Sequence, residues 1–247
     1  YKVTIKVEDQ ESSFYVSRDG KFLFPNLVEL DKKQEEEKPT EVPKTEKPNV
    51  KLFVMSYCPY GLQMQKAFLP VYNLLKEKAE LGVYFVNYIM HEKKEIDENL
   101  RQYCIQKEEK EKYSNYLNCF VEDGDFEKCL SEAAIDRTKL SNCVSATDTQ
   151  YNVTALYNDQ STWLNGRFPK FDVHADLNQE YGVQGSPTVV INDVVTEVSP
   201  RSPEKFKEII CAAFTSPPLE CSQTLSNDAP AAGLGGGTGS SNGGSCQ

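Results

Sequence analysis

The junction at Cys58-Pro59 constrains this chain more than any other feature. Before it runs "VKLFVMSY", residues 50 to 57, almost unbroken in apolar side chains. Such a run suits a strand covered on both faces. After it, Met64, Ala67, Phe68, Val71, Leu74 and Leu75 recur at helical spacing. Pro59 stands where that helix opens, a position proline tolerates because its missing N–H has no helical partner to lose. "LGVYFVNYIM", residues 81 to 90, reads as a second strand. Strand, helix and strand of these lengths make a βαβ unit, with parallel strands and a right-handed crossover. The cysteine therefore sits at a helix N-terminus, where unpaired N–H groups and the helix dipole favour an anion.

The remaining chain divides by composition. Residues 1 to 30 alternate as β structure, with a hairpin turning at Asp19-Gly20. Tyr1 stands inside a strand pattern without a methionine, which points to processing or to an upstream segment. Residues 31 to 49 are charged and spaced by prolines, and read as a linker. The main domain spans 50 to 221, with a helix-rich insertion over 93 to 165. A short helix is expected at 172 to 183, ending at Gly182. The stretch "QGSPTVVINDVVTEV" gives a turn, a strand at 188 to 191, an Asn-Asp turn and a strand at 194 to 198. A closing helix follows over 202 to 214. Composition assigns the tail, 222 to 247, to a Gly/Ser-rich disordered segment, unless a bridge through Cys246 or a neighbouring molecule holds it.

Charge and cysteine usage narrow the function classes. With 39% hydrophobic and 26% charged residues, the chain can bury a core. Its net charge of −10 argues against nucleic-acid and anionic-membrane partners, which demand basic patches. No apolar run approaches a bilayer span, and no signal peptide is visible. There are eight cysteines and no CxxC pair, and His91 and His174 lie far from cysteine pairs. A metal site is not expected from that pattern. Dispersed cysteines in even number favour disulfides and an oxidising compartment.

The spacing of Cys104, Cys119, Cys129 and Cys143 is nearly symmetric, which suits nested bridges across helical hairpins, Cys119–Cys129 inside Cys104–Cys143. Four cysteines allow three connectivities. Cys211 and Cys221 flank "AAFTSPPLE" and suit a staple at the end of the last helix. That arrangement leaves Cys58 and Cys246 over. Pairing Cys221 with Cys246 leaves Cys58 and Cys211 instead. "NVT" makes Asn152 a glycosylation sequon. Trp163 is expected to pack between insertion and core, and His91 to lie on the surface. Met55, Tyr57 and Tyr60 are candidates either for an apolar peptide-binding surface or for the core.

Residues 50 to 92 and 172 to 214 resemble the thioredoxin fold. The insertion resembles that of DsbA-like and gamma-interferon-inducible thiol reductase-like proteins. "VMSYCPYGLQ", "MHEKKEIDENLRQYCIQKE", "ICAAFTSPPLEC" and the hairpin "FYVSRDGKFLFP" resemble a group of archaeal and bacterial extracytoplasmic thioredoxin-like proteins. The resemblance implies an α/β thioredoxin-like fold with a disulfide-stapled helical insertion, preceded by a small N-terminal β segment. It implies that Cys58 is the nucleophile, that Pro187 is the cis-proline facing it, and that Ser186 precedes that proline. Tyr60, Gly61, Ser186 and Pro187 would line the substrate site. The departure is Gly61, where a dithiol enzyme carries its second cysteine.

The thiolate is the attacking species, and a helix N-terminus lowers a cysteine from about 8.5 to roughly 3.5–7.5. Without a cysteine at 61, three outcomes are open. An external thiol resolves a mixed disulfide at Cys58, or Cys246 on the tail does so, or Cys58 is structural. The leading expectation is monothiol thiol–disulfide exchange on extracytoplasmic protein substrates or a redox partner protein, by a chain that is secreted, at the cell surface or membrane-anchored through a segment outside this sequence. It requires no metal or organic cofactor. The alternative is a non-catalytic structural or interaction module, assembling as a homo-oligomer through the N-terminal β segment or the tail.

Overall fold

The computed structural model describes residues 2–7, 10–24, 41–239 and 244–247. The chain separates into two compact units between residues 41 and 42. In the first, β1 (Lys2–Val7), β2 (Gln10–Val16) and β3 (Leu23–Phe24) form an antiparallel sheet in that order. The turn into β3 closes with the Gly20 N–H donating to Ser17 O at 2.9 Å. Residues 31 to 40 of the expected linker lie outside the described residues.

The second unit is built on a four-stranded sheet. β4 (Asn49–Val54) pairs in parallel with β5 (Glu80–Phe85), joined by α1 (Pro59–Leu75). β6 (Thr188–Ile191) pairs antiparallel with the other edge of β4, and β7 (Val194–Val195) with β6. The sheet order is therefore β5-β4-β6-β7. Asn192 and Asp193 make the β6–β7 turn with φ of +46° and +65°, a conformation these two residue types tolerate. β4 is buried on both faces, as its unbroken apolar run requires. The later strand is shorter than the expected 194 to 198, because ladder pairing stops at Val195.

The insertion consists of α2 (Glu92–Glu108), α3 (Lys110–Asp123), α4 (Phe126–Glu132), α5 (Arg137–Tyr151) and α6 (Val153–Asn158). Its two bridges are Cys104–Cys143 and, inside it, Cys119–Cys129. Tyr116, Tyr113 and Phe120 fill its interior. Glu98 is buried with them, bonded by Tyr116, Gln102 and Arg101; burial pushes its carboxyl up, against the pull of Arg101. After the insertion come α7 (Ala175–Glu180) and α8 (Pro203–Ala212), and Cys211–Cys221 staples the end of α8. Phe206 of α8 meets Phe68 of α1 with ring centroids 5.2 Å apart. Among the described residues no helix is long and apolar enough to cross a membrane.

Two stretches differ from the sequence reading. Residues 42 to 48 join the second unit: Thr45 N donates to Ala213 O, Thr215 N donates to Thr45 O, and Pro48 is buried. The tail also packs. Gly233 N donates to Pro59 O and Gly235 N to Val121 O, both at 2.9 Å, and Ala229 is buried. Both stretches are held by backbone groups, which composition does not register. Trp163 stays within the insertion, its Nε1 donating to Leu156 O and Tyr157 O, rather than bridging to the core.

Candidate exchange site

Cys58 is the N-cap of α1. Its backbone is extended (φ −65°, ψ 123°), and its Sγ accepts the Gly61 N–H at 3.4 Å. A sulfur in that place takes the role an N-cap oxygen usually fills, satisfying one of the orphan donors of the first turn. Pro59 follows at the first helical position and costs the helix no hydrogen bond. Cys58 is fully buried, 0% exposed.

The loop before β6 closes the site from the other side. The Ser186–Pro187 peptide bond is cis. Ser186 is buried, and its Oγ accepts the N–H of Met55 at 2.9 Å, which ties this loop to the end of β4. Its carbonyl oxygen lies 3.4 Å from Cys58 Sγ. A Cβ built on Gly61 would lie 2.5 Å from Ser186 Oγ and 3.1 Å from Met55 O. The position where a second cysteine would stand in a CxxC site is thus filled by a serine side chain.

The second sulfur arrives from the tail. Cys58 is bonded to Cys246, with their Cα atoms 6.2 Å apart. Cys246 N donates to Ser186 O, and Ser186 N donates to Cys246 O, both at 2.9 Å. The tail end is therefore seated as one more antiparallel strand position against the loop. Ser245 Oγ adds a bond to Ser186 O at 3.2 Å. Gly185 leaves room for this approach, since a Cβ there would lie 2.4 Å from Cys246 O.

A βαβ unit, then an antiparallel pair and a helix, with a cysteine capping the first helix against a proline loop, is a known architecture. The fold is thioredoxin-like. No protein-family model and no curated protein matches the chain. Among solved structures it is similar to BdbD from Bacillus subtilis, with a TM-score of 0.42 and 19% identity over 66% of this chain and 85% of that one. It is similar to the reduced DsbA from Mycobacterium tuberculosis, with a TM-score of 0.46 and 15% identity over 72% of this chain and 92% of that one. It is also similar to MdbA, a thiol-disulfide oxidoreductase from Actinomyces oris, with a TM-score of 0.46 and 9% identity over 69% and 83% of the two chains.

The candidate residues sort clearly. Cys58, Tyr60, Gly61, Ser186, Pro187 and Cys246 come together in one place. Cys104, Cys119, Cys129 and Cys143 lie in the insertion, and Cys211 and Cys221 at the end of α8. Asn152 is exposed at the C-terminus of α5, in left-handed conformation. Of the two roles open to Met55 and Tyr57, the structure gives them packing rather than a peptide surface. Met55 is buried in the core, and Tyr57 packs edge-on against Phe120, with Lys94 over its ring. Tyr60 meets the tail at Gly244. His91 is partly exposed and pairs with the buried carboxylate of Glu95. Pro187 also lines a cleft of about 320 Å³ with Met64, Thr188, Val195 and Arg201. Sequence reading did not mark the missing side chain of Gly185 or the hydroxyl of Ser186. Their roles depend on which atoms face them across the fold.

Of the pairings left open for Cys58, the structure contains the one with Cys246. All eight cysteines are paired, Cys58 with Cys246.

Proposed function

We propose that the chain performs thiol–disulfide exchange on protein substrates outside the cytoplasm, with Cys58 as the reacting cysteine and Cys246 as the cysteine it cycles with. One observation carries this reading: the Cys58–Cys246 bond lies at the α1 N-terminus, with Cys246 paired to Ser186 through both backbone bonds. A thiolate on Cys58 would keep the Gly61 N–H and the positive end of α1 beside it. In the reduced chain, that thiolate attacks a substrate disulfide. The substrate S–S bond breaks, a bond to Cys58 Sγ forms, and one substrate sulfur leaves as thiolate. Cys246 thiolate then attacks Cys58 Sγ, releasing the second substrate sulfur and restoring Cys58–Cys246. Two electrons pass to the substrate, and its two thiolates take up the two protons given by the cysteines. The reverse sequence oxidises a substrate dithiol. Full pairing of the cysteines supports an oxidising, extracytoplasmic setting.

The complete burial of Cys58 favours a second reading, in which Cys58–Cys246 is a permanent staple of an interaction module. Titration of the native chain in glutathione buffers, followed by alkylation and mass mapping, separates the two. Exchange predicts that Cys58–Cys246 opens first, while the other three bridges persist. A bond that resists until the chain unfolds would leave the staple reading standing.

A further inference from the structure

Resting on the exchange reading, we propose that Gly244–Gln247 is a tethered occupant of the peptide position at this site. It bars substrates from Cys58, and it records the shape of the peptide that replaces it: an extended segment with glycine two residues before its cysteine.

Three contacts define that shape. Both backbone bonds between Cys246 and Ser186 are of the kind any extended peptide makes, so they set direction and register without reading side chains. Gly185 permits the close approach; a Cβ on it would also fall 2.7 Å from Gln247 Cγ and 3.0 Å from Ser245 Oγ. Tyr60 supplies the selectivity. A Cβ on Gly244 would lie 2.7 Å and 2.8 Å from its Cε2 and Cζ ring atoms, so a larger residue has to displace the ring. With the tail seated, Tyr60 and Cys246 pack on the cluster that encloses Cys58, Phe53 and Met55.

A separate clasp holds the tail nearby. Lys66 Nζ donates to Gly233 O at 2.9 Å and to Gly235 O at 2.7 Å, and Gln63 Nε2 donates to Pro230 O at 2.8 Å. These bonds do not depend on the Cys58–Cys246 bridge. After its reduction the tail end remains a local competitor, at the millimolar effective concentration of a short tether. A peptide thiolate that enters forms a bond to Cys58 Sγ as Cys58–Cys246 breaks. The electron pair stays on Cys246 Sγ, which takes up the proton the peptide thiol gave.

The test uses full-length chain in two forms, Cys246→Ser and Cys246→Ser with Gly244→Val. The probes are disulfide-linked dimers of a Gly-Gly-Ser-Cys-Gln peptide and of its Gly-Val-Ser-Cys-Gln counterpart, with iodoacetamide as a probe of the thiol alone. Mixed-disulfide formation at Cys58 is timed by mass spectrometry. The glycine peptide is expected to react about tenfold faster with the Gly244→Val form, whose tail no longer competes. It is also expected to outpace the valine peptide in that form. Adding Gly185→Ala to the Gly244→Val form should slow both peptides relative to iodoacetamide, which reports access to the thiol alone. Equal rates in the two forms, or equal rates for the two peptides, would overturn the proposal while leaving exchange intact. If Cys58 reacts with iodoacetamide but with neither peptide in either form, the exchange reading itself fails.

Discussion

Gly61 and Ser186 compete for one small volume: a Cβ on Gly61 would stand 2.5 Å from Ser186 Oγ. The hydroxyl is not free to retreat, because it accepts the buried N–H of Met55. A thiol at position 61 would need that space. The disulfide partner of Cys58 instead comes from residue 246, which exchanges two 2.9 Å backbone hydrogen bonds with Ser186. Ser186 thus closes off one position and seats the other.

Gly61→Ala should therefore destabilise the chain by about 1–3 kcal/mol, the usual cost of overpacking. Ser186→Ala should cost about 1–3 kcal/mol by orphaning the Met55 N–H. The double variant should lose less than the sum, since the second change removes the clash made by the first. Urea unfolding of all four chains checks this; additive losses would show that the two groups do not share the space.

Cys246→Ser should leave Cys58 as the only free thiol, since the other six cysteines are bridged. Its labelling by iodoacetamide should be measurable below pH 7, where an ordinary thiol near 8.5 is almost fully protonated. Rate against pH gives the answer directly. A profile rising only above pH 8 would mean that the α1 N-terminus does not stabilise the thiolate.

The insertion bridges should differ in weight. Cys104–Cys143 closes a separation of 39 residues and Cys119–Cys129 one of 10. Loop-closure entropy gives about 4 kcal/mol for the first and about 3 kcal/mol for the second. Paired serine replacements should follow that order in denaturant midpoint, with Cys104→Ser and Cys143→Ser together the more damaging.

His174 should make the chain acid-sensitive. It is partly buried, its Nδ1 accepts the Phe85 N–H at 3.1 Å, and desolvation lowers its pKa to about 4. Unfolded, it titrates near 6.5. Between those values the unfolded chain binds the extra proton. Its contribution is full above pH 6.5 and is lost as pH falls toward 4, amounting to roughly 3 kcal/mol. Stability measured in urea from pH 7 to pH 4 should fall less steeply in His174→Gln. Parallel curves would remove His174 as the cause.

Much of this molecule was legible in one dimension. The apolar run at 50 to 57, the helical spacing after Pro59 and the strand at 81 to 90 determine a parallel βαβ unit, because periodicity is a local consequence of burial. The Cys58-Pro59 junction places a sulfur at a helix N-terminus by chain order alone. Cysteine arithmetic reduced the last pair to a short choice, with Cys58 and Cys246 as one branch. Composition misjudged residues 42 to 48 and the tail, since neither buries much side chain; their N–H and C=O groups find partners on Ala213, Pro59 and Val121. Only the tertiary structure decided which of the open pairings forms and why position 61 holds glycine. Both answers lie in ångström-scale contacts between residues far apart in the chain, Ser186 with Gly61 and Ser186 with Cys246. Local pattern reports what each segment tends to do; which atoms then exclude or bond one another is settled when the segments pack.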